Sequence, residues 1–258
     1  MKAREPAFRI TSTELLGVDQ SIVMDEGGTA LGLTELGLPV SRFMISGKFK
    51  GKSEESDRVL IRVSDTFNEV TLNVGNFFSQ SLEVFEEIQL EDPVAVIGKV
   101  SILKGQSQFS KRFYAESIHK ISETEMRYFE GRAVLFLKER TDRIAKAISS
   151  GLKEKRELAA LMDSERLGFG LSKRFELNGS VDLEKYISLP GLFLESLSRR
   201  NREVILAEIR NFREISLEEL MKKLGDKINR EDIEDEIRNL LNDGEIMEVK
   251  TGIYRYIP

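Results

Sequence analysis

From Phe43 onward polar and apolar residues alternate. In "FMISGKFKGK" (43–52), Ile45, Gly47 and Phe49 share one face and Ser46, Lys48 and Lys50 the other, the two-residue period of a half-buried strand. "RVLIRVSD" (58–65) repeats the pattern with Val59, Ile61 and Val63 inward and Arg62 outward, and "EVTLNV" (69–74) gives a third strand. "KSEESD" (52–57) reads as the turn between the first two. The spacing of "GNFFSQSLEVFEEIQL" (75–90) becomes helical, with Phe78, Leu82 and Phe85 on one stripe. "PVAVIGKVSILK" (93–104) and "QFSKRFYAESIHKI" (108–121) form a long hairpin across "KGQSQ". Three strands, a helix and two strands is the element order of an OB-fold, a five-stranded Greek-key barrel, here over 40–122. Gly47 and Gly98 fit points where a strongly bent strand has no room for a side chain.

Before the barrel, residues 1–39 read as an irregular N-terminal extension; "DEGGTALGLTELGLP" (25–39) is rich in glycine and allows a short helix at most. After it, Met126, Phe129, Ala133, Leu137, Ile144 and Ile148 keep helical spacing, and "LKEKRELAALM" (152–162) continues helical, which predicts a long helical segment over 123–163. "AVLFL" (133–137) is apolar at consecutive positions, so this helix needs cover on more than one side, and a barrel covers only one. Two arrangements supply the rest: the helix folds back on its own chain, or it enters an oligomeric bundle. The second makes Phe129, Ala133, Phe136, Leu137, Arg140 and Ile144 candidate assembly residues. Residues 164–195, with "GFGLSKRFELNGS", read as a linker.

The last stretch, 196–258, is more regular. "RRNREVILAEIRNF" (199–212) buries Val204, Ile205, Ile209 and Phe212. "SLEELMKKLGD" (216–226) opens on a capping box of Ser216 and Glu219. "NREDIEDEIRNLLNDG" (229–244) has Asn229 as N-cap and Gly244 just past its end. A two-strand tip, "EIMEVKTGIYRYI", follows. Three helices and a tip predict a winged helix. The expected class is therefore α+β and multidomain: an OB-fold barrel, a long helix, and a C-terminal winged helix.

Charge changes what these modules are expected to do. The 258 residues carry a net charge of −5, so any attraction to nucleic acid must come from local segregation. Residues 42–52 contain Arg42, Lys48, Lys50 and Lys52 without an acid, and 94–112 contain Lys99, Lys104, Lys111 and Arg112 without one. Cations that track phosphates, interleaved with rings that stack on bases, are what a single strand requires. Lys48, Lys50, Arg62, Lys99, Lys104, Lys111 and Arg112 are the candidate cations, and Phe67, Phe109 and Tyr114 the candidate rings; Phe49 and Phe113 share parity with apolar neighbours and belong to the core. Strand lysines that merely solubilise an edge are the plainer alternative. The helix at 229–243 is the reverse case. Glu231, Asp232, Glu234, Asp235, Glu236 and Asp243 outnumber Arg230 and Arg238, and such a helix in a major groove would lie between two rows of phosphates. Lys250 and Arg255 at the tip are too few to reverse this, so the expected partner is a protein, met through Glu231, Glu234 and Arg238.

There is no cysteine and one histidine, His119, which leaves no thiol chemistry and little basis for a metal site. "ALGLTELG" (30–37) lacks the Lys and Ser/Thr of a phosphate loop and follows no predicted strand. No cofactor and no catalytic role is expected. No apolar run reaches membrane-spanning length, and a cytoplasmic location fits.

"REPAFRI" (4–10) resembles the opening motif of archaeal replication protein A-associated proteins of the middle-subunit type. The order of extension, OB-fold, long helix, linker and winged helix matches over nearly the whole chain. "LLNDGEIMEVKTGIYRYI" is also similar to the winged-helix ends of archaeal middle subunits and replicative helicases. The resemblance implies a heterotrimeric single-stranded DNA-binding complex of replication, repair and recombination. In it the helix after the barrel would join a three-helix bundle with the large and small subunits, and the winged helix would recruit replication or repair proteins. It also implies that most DNA affinity would lie in the large subunit; the alternative is an adaptor subunit whose barrel binds no DNA.

Overall fold

The computed structural model describes residues 6–24, 30–55, 58–75, 87–104 and 109–257. The expected helix at 75–90 falls mostly on 76–86 and the hairpin tip on 105–108, both outside the described residues. The chain divides into two units, Met1–Pro190 and Gly191–Pro258.

In the first unit β1 (Phe8–Arg9), α1 (Ser12–Leu16), β2 (Val18–Met24), β3 (Ala30–Thr34) and β4 (Pro39–Val40) precede the long strand β5 (Arg42–Glu55). Then come β6 (Arg58–Ser64), β7 (Glu69–Val74), β8 (Pro93–Lys104) and β9 (Phe109–Lys120). β5 pairs with β6, β6 with β7, β7 with β9, β9 with β8, and β8 returns to β5. The ladder thus closes into a five-stranded barrel, as the strand pattern predicts. Inward residues of alternating parity fill it, among them Phe43, Ile45, Phe49, Ile61, Val63, Leu72, Val96 and Phe113. Each contributes about 1.5–3 kcal/mol by leaving water. A Cβ on Gly47 would stand 2.2 Å from the Ser64 carbonyl oxygen, and one on Gly98 2.4 Å from the Phe43 ring, so both bends exclude any side chain. The 52–57 turn is shorter than expected, because β5 runs on to Glu55, which pairs with Arg58.

The expectation of an irregular extension over 1–39 is corrected. β1 lies parallel to β5, and β2, β3 and β4 form a separate three-stranded sheet. Ile10, Leu15, Val18, Leu31, Leu33, Leu36, Leu38 and Val40 are all buried, so this segment is core rather than tail.

α2 (Glu123–Ser149) starts on a capping box formed by Ser122 and Glu125 and stops at Ser150, beside Gly151 at φ 66°. The expected continuous segment is therefore two helices, with α3 (Lys155–Met162) separate. The expected linker is corrected too: it holds α4 (Glu165–Asn178) and α5 (Glu184–Ile187), whose Leu171, Phe175 and Tyr186 are buried. These helices answer the question raised by "AVLFL". On one side α2 meets the barrel, where the Ser46 hydroxyl donates to the Met126 carbonyl and Phe136 stacks on Phe8. On the other side Leu137, Ile144 and Ala147 enter a second core with Leu36, Leu158, Met162, Leu171, Phe175 and Tyr186. The second cover comes from the same chain.

The second unit contains α6 (Leu189–Asn211) from Gly191 onward, β10 (Ile215–Ser216), α7 (Leu217–Leu224), α8 (Arg230–Asn242), β11 (Ile246–Lys250) and β12 (Ile253–Tyr256). The strands form one sheet in the order β10-β12-β11. Ile205, Ile209, Leu220, Ile233, Ile237, Leu240 and Ile246 make its core. Ser216 and Glu219 form the expected capping box, and Asn229 caps α8 through Asp232. Phe212, expected inside, is 39% exposed because α6 ends one residue before it.

Candidate nucleic-acid interface

Because Phe113 and Ala115 of β9 and Ile61 and Leu72 of β6 and β7 point into the barrel, their chain neighbours point out. Register then sets those neighbours side by side. Arg42 pairs with Lys99, Lys99 with Tyr114, Tyr114 with Asn73, and Asn73 with Leu60. This outward row crosses β5, β8, β9, β7 and β6. Arg112, opposite Ser101, and Arg62, opposite Thr71, flank it. The Asn73 amide donates to the Phe113 carbonyl at 3.2 Å, which ties the seam between β7 and β9. Arg42 is held by Glu116 at 2.6 Å. The result is a half-buried ring with cations on neighbouring strands, a surface able to stack a base and meet a phosphate. In an OB-fold, the face of the second and third strands is the surface that takes oligonucleotides; of these residues Leu60, Arg62, Thr71 and Asn73 lie on it, and Tyr114 adjoins it from the fifth strand. Asn73 was not anticipated; its only signal in the sequence is its outward parity with Thr71.

Several candidates lie elsewhere. Lys48 pairs with Glu123 at the start of α2 (2.8 Å) and Lys50 with Glu91 (2.6 Å). Arg62 donates to the Lys50 carbonyl at 2.9 Å and lies 3.5 Å from Glu69. Lys120 holds Asp92 at 2.7 Å, and this hydrogen bond, with that from the Gln89 backbone, keeps the Asp92 carboxyl below its usual range. Lys111 is half-buried and turned onto the backbone. Its ammonium donates to the carbonyls of Leu16 and Val18, the latter at 2.8 Å, and burial pushes its pKa below the ordinary lysine value. Phe67 lies outside this row: it sits half-buried in the turn after β6, packed against the second core and lining a recess with Phe129, Glu130 and Ala133 of α2. Lys104 and Phe109 are register partners at the end of the β8–β9 ladder, and their side chains are outside the described residues. The charge sorting legible along the sequence is thus partly undone in space, because carboxylates from other segments reach the barrel's cations.

The expected assembly residues are mostly interior. Ala133, Leu137 and Ile144 are buried, and Arg140 is 2% exposed and bound to Glu14. Phe136 lies between Phe8 and the Arg140 guanidinium, and Phe129 packs against Tyr128. Ala133, Leu137, Arg140 and Ile144 cannot present a face to another subunit while the chain keeps this fold, whereas Phe129 and Phe136 are half-buried. The apolar side chains that α2 leaves exposed are Tyr128 (60%), Leu135 (44%) and Ile148 (42%).

On α8, Glu231 is exposed, Glu234 pairs with Arg230 at 2.7 Å, and Arg238 pairs with Asp235. Glu236 is buried. Arg202 of α6 binds it at 3.0 Å, and also Asp243 at 2.5 Å and Glu245 at 2.7 Å. The hydrogen bonds to Glu245 and Asp243 raise the Arg202 pKa further. An arginine outside the 229–243 window therefore removes part of the helix's anionic load. Among the described residues no group of His, Asp or Glu could hold a metal ion, and no helix is long and apolar enough to cross a membrane.

No protein-family model matches the chain, and no curated protein matches it. Among solved structures it is similar to a chain of a replication protein A heterotrimer bound to ssDNA, at 14% identity and TM-score 0.38 over 51% of this chain and 94% of that one. It is similar to a chain of the S. pombe Stn1–Ten1 complex at 16% identity and TM-score 0.32, over 51% and 96%. A third is the S. cerevisiae mitochondrial single-stranded DNA-binding protein Rim1, at 15% identity and TM-score 0.27 over 32% and 94%. These superpositions are too loose to bear on what this chain does.

Proposed function

We propose that the chain is a non-catalytic single-stranded DNA-binding protein, and within that class the middle subunit of an archaeal complex of the replication protein A type. The observation that carries this reading is the outward row Lys99, Tyr114 and Asn73, flanked by Arg112 and Arg62, on a closed five-stranded barrel. The motif "REPAFRI" and the order of modules support the narrower assignment. In this reading the second unit is a winged helix that recruits a protein through Glu231 and Glu234. α2 meets the large and small subunits through the exposed Tyr128 and Leu135 rather than through its buried stripe.

The test is a salt series with the full chain and a single-stranded oligonucleotide, followed by fluorescence anisotropy. Contact with Z phosphates predicts that log K falls with log salt at a slope of about −0.7Z. Absence of binding at every salt concentration overturns the reading. That outcome would favour a structural adaptor, an alternative supported by one observation: Lys48, Lys50, Arg62 and Arg42 each lie beside a carboxylate of their own chain.

A further inference from the structure

The second unit is not uniformly acidic. While α8 carries the exposed acids, the connection from α6 to β10 reads Arg210, Asn211, Phe212, Arg213, Glu214, and all five residues are exposed. Three contacts splay this connection between α7 and β12. The Lys223 ammonium of α7 lies over the Phe212 ring at 4.5 Å. The Arg210 guanidinium lies over the Tyr256 ring of β12 at 4.3 Å and donates to its hydroxyl at 3.1 Å. Arg255 of β12 holds Glu214, and Arg213 and Lys250 act on the same carboxylate through space. Arg210, Arg213, Lys223, Lys250 and Arg255 thus gather around two rings. The acids in contact with them are Glu214 and Glu208, with Glu208 tied to Lys223 at 3.0 Å, and Glu219 acts on Lys223 through space.

We propose that this ridge is a second contact for single-stranded nucleic acid, with Arg213 and Lys223 on the phosphates and a base against the outer face of Phe212. Interleaved cations and rings suit a single strand better than a duplex, since a splayed base can reach a ring that a stacked one cannot. The ridge uses neither α8 nor the barrel row, so it stands whether or not the barrel binds.

The test uses the full chain and an oligothymidylate several site lengths long. Arg213→Glu combined with Lys223→Gln is expected to lower affinity roughly tenfold, and to make the salt slope shallower by about 1.4, the value for two single-strand phosphate contacts. Phe212→Leu keeps an apolar side chain at this position but removes the ring face that stacks and that Lys223 covers, and is expected to abolish ultraviolet cross-linking of thymine to this connection. Each variant is checked for an unchanged thermal transition. Unchanged affinity and slope in the charge variant, or cross-linking that maps only to the barrel, overturns the proposal; both are expected if the ridge serves an acidic protein instead. Failure of the barrel reading is a distinct result: Tyr114→Ala would leave binding intact, and the residual binding would still be lost in Arg213→Glu/Lys223→Gln.

Discussion

Both carboxylate oxygens of Glu14 are bound by the guanidinium of Arg140, at 2.7 and 2.5 Å, in a site where neither side chain reaches solvent. The Thr34 hydroxyl donates to the same carboxylate at 3.2 Å, so α1, β3 and α2 converge on one charge pair.

Removing one partner strands the other charge in the interior. Glu14→Leu is expected to cost about 3–5 kcal/mol, while Glu14→Leu with Arg140→Met recovers most of the loss. Urea unfolding of the two variants checks this; equal stabilities would mean that the pair does not act as a unit.

Leu135 and Leu137 are two residues apart on α2 and face opposite conditions, one 44% exposed and one fully buried. Leu137→Asp should therefore unfold the first unit whether or not other subunits are present. Leu135→Asp should leave the circular dichroism and thermal transition of the single chain intact. If the proposed complex exists, it should also break a 1:1:1 species formed on coexpression with the neighbouring genes, read by native mass measurement.

At the barrel, Tyr114→Ala should weaken single-strand binding by about fivefold, the low end of what one stacked base contributes. Lys111→Met should leave affinity unchanged and lower stability by about 1–3 kcal/mol, since the Leu16 and Val18 carbonyls lose their donor. Anisotropy and urea titration on the same two variants separate the roles.

Glu35 gives the first unit a pH dependence. Burial works against its carboxylate, but hydrogen bonds from Lys185 and Tyr186, the latter at 2.7 Å, outweigh burial and hold its pKa below the ordinary value. The folded chain therefore takes up this proton less readily than the unfolded chain. The stability it contributes is complete above the unfolded carboxylate pKa and is lost as pH falls through the lower folded one. Tyr186→Phe removes one of these hydrogen bonds. It should flatten the loss of stability on the acid side, seen as a smaller drop in urea midpoint between neutral and acid solution than in the parent chain.

The barrel strands and the caps at Ser216 and Asn229 were legible because their signals are local: alternation in one case, an acceptor three residues before its donor in the other. The segment 30–40 was not, because Gly32 interrupts its alternation and the residues that cover it come from α4. The glycines of "GFGLSKR" suggest a linker. They mark close approach instead, since a Cβ on Gly170 would stand 2.1 Å from the Gly37 carbonyl oxygen. For the site, residue types could be read but neighbours could not. Lys99 and Tyr114 stand fifteen positions apart in sequence, and only the hairpin register sets them together. Glu91 and Glu123 reach Lys50 and Lys48 from segments that give no hint of it.

The early part of the first unit depends on residues made much later. Glu14 finds Arg140 after 126 positions, Glu35 finds Tyr186 after 151, and Asp19 finds Arg174 after 155. On the ribosome, the opening forty residues emerge long before the groups that bind them. A nascent chain arrested before α4 would carry a barrel whose flanking sheet lacks its cover. Such distant closures are slow, so this unit should reach its native state only after its last helix has left the exit tunnel.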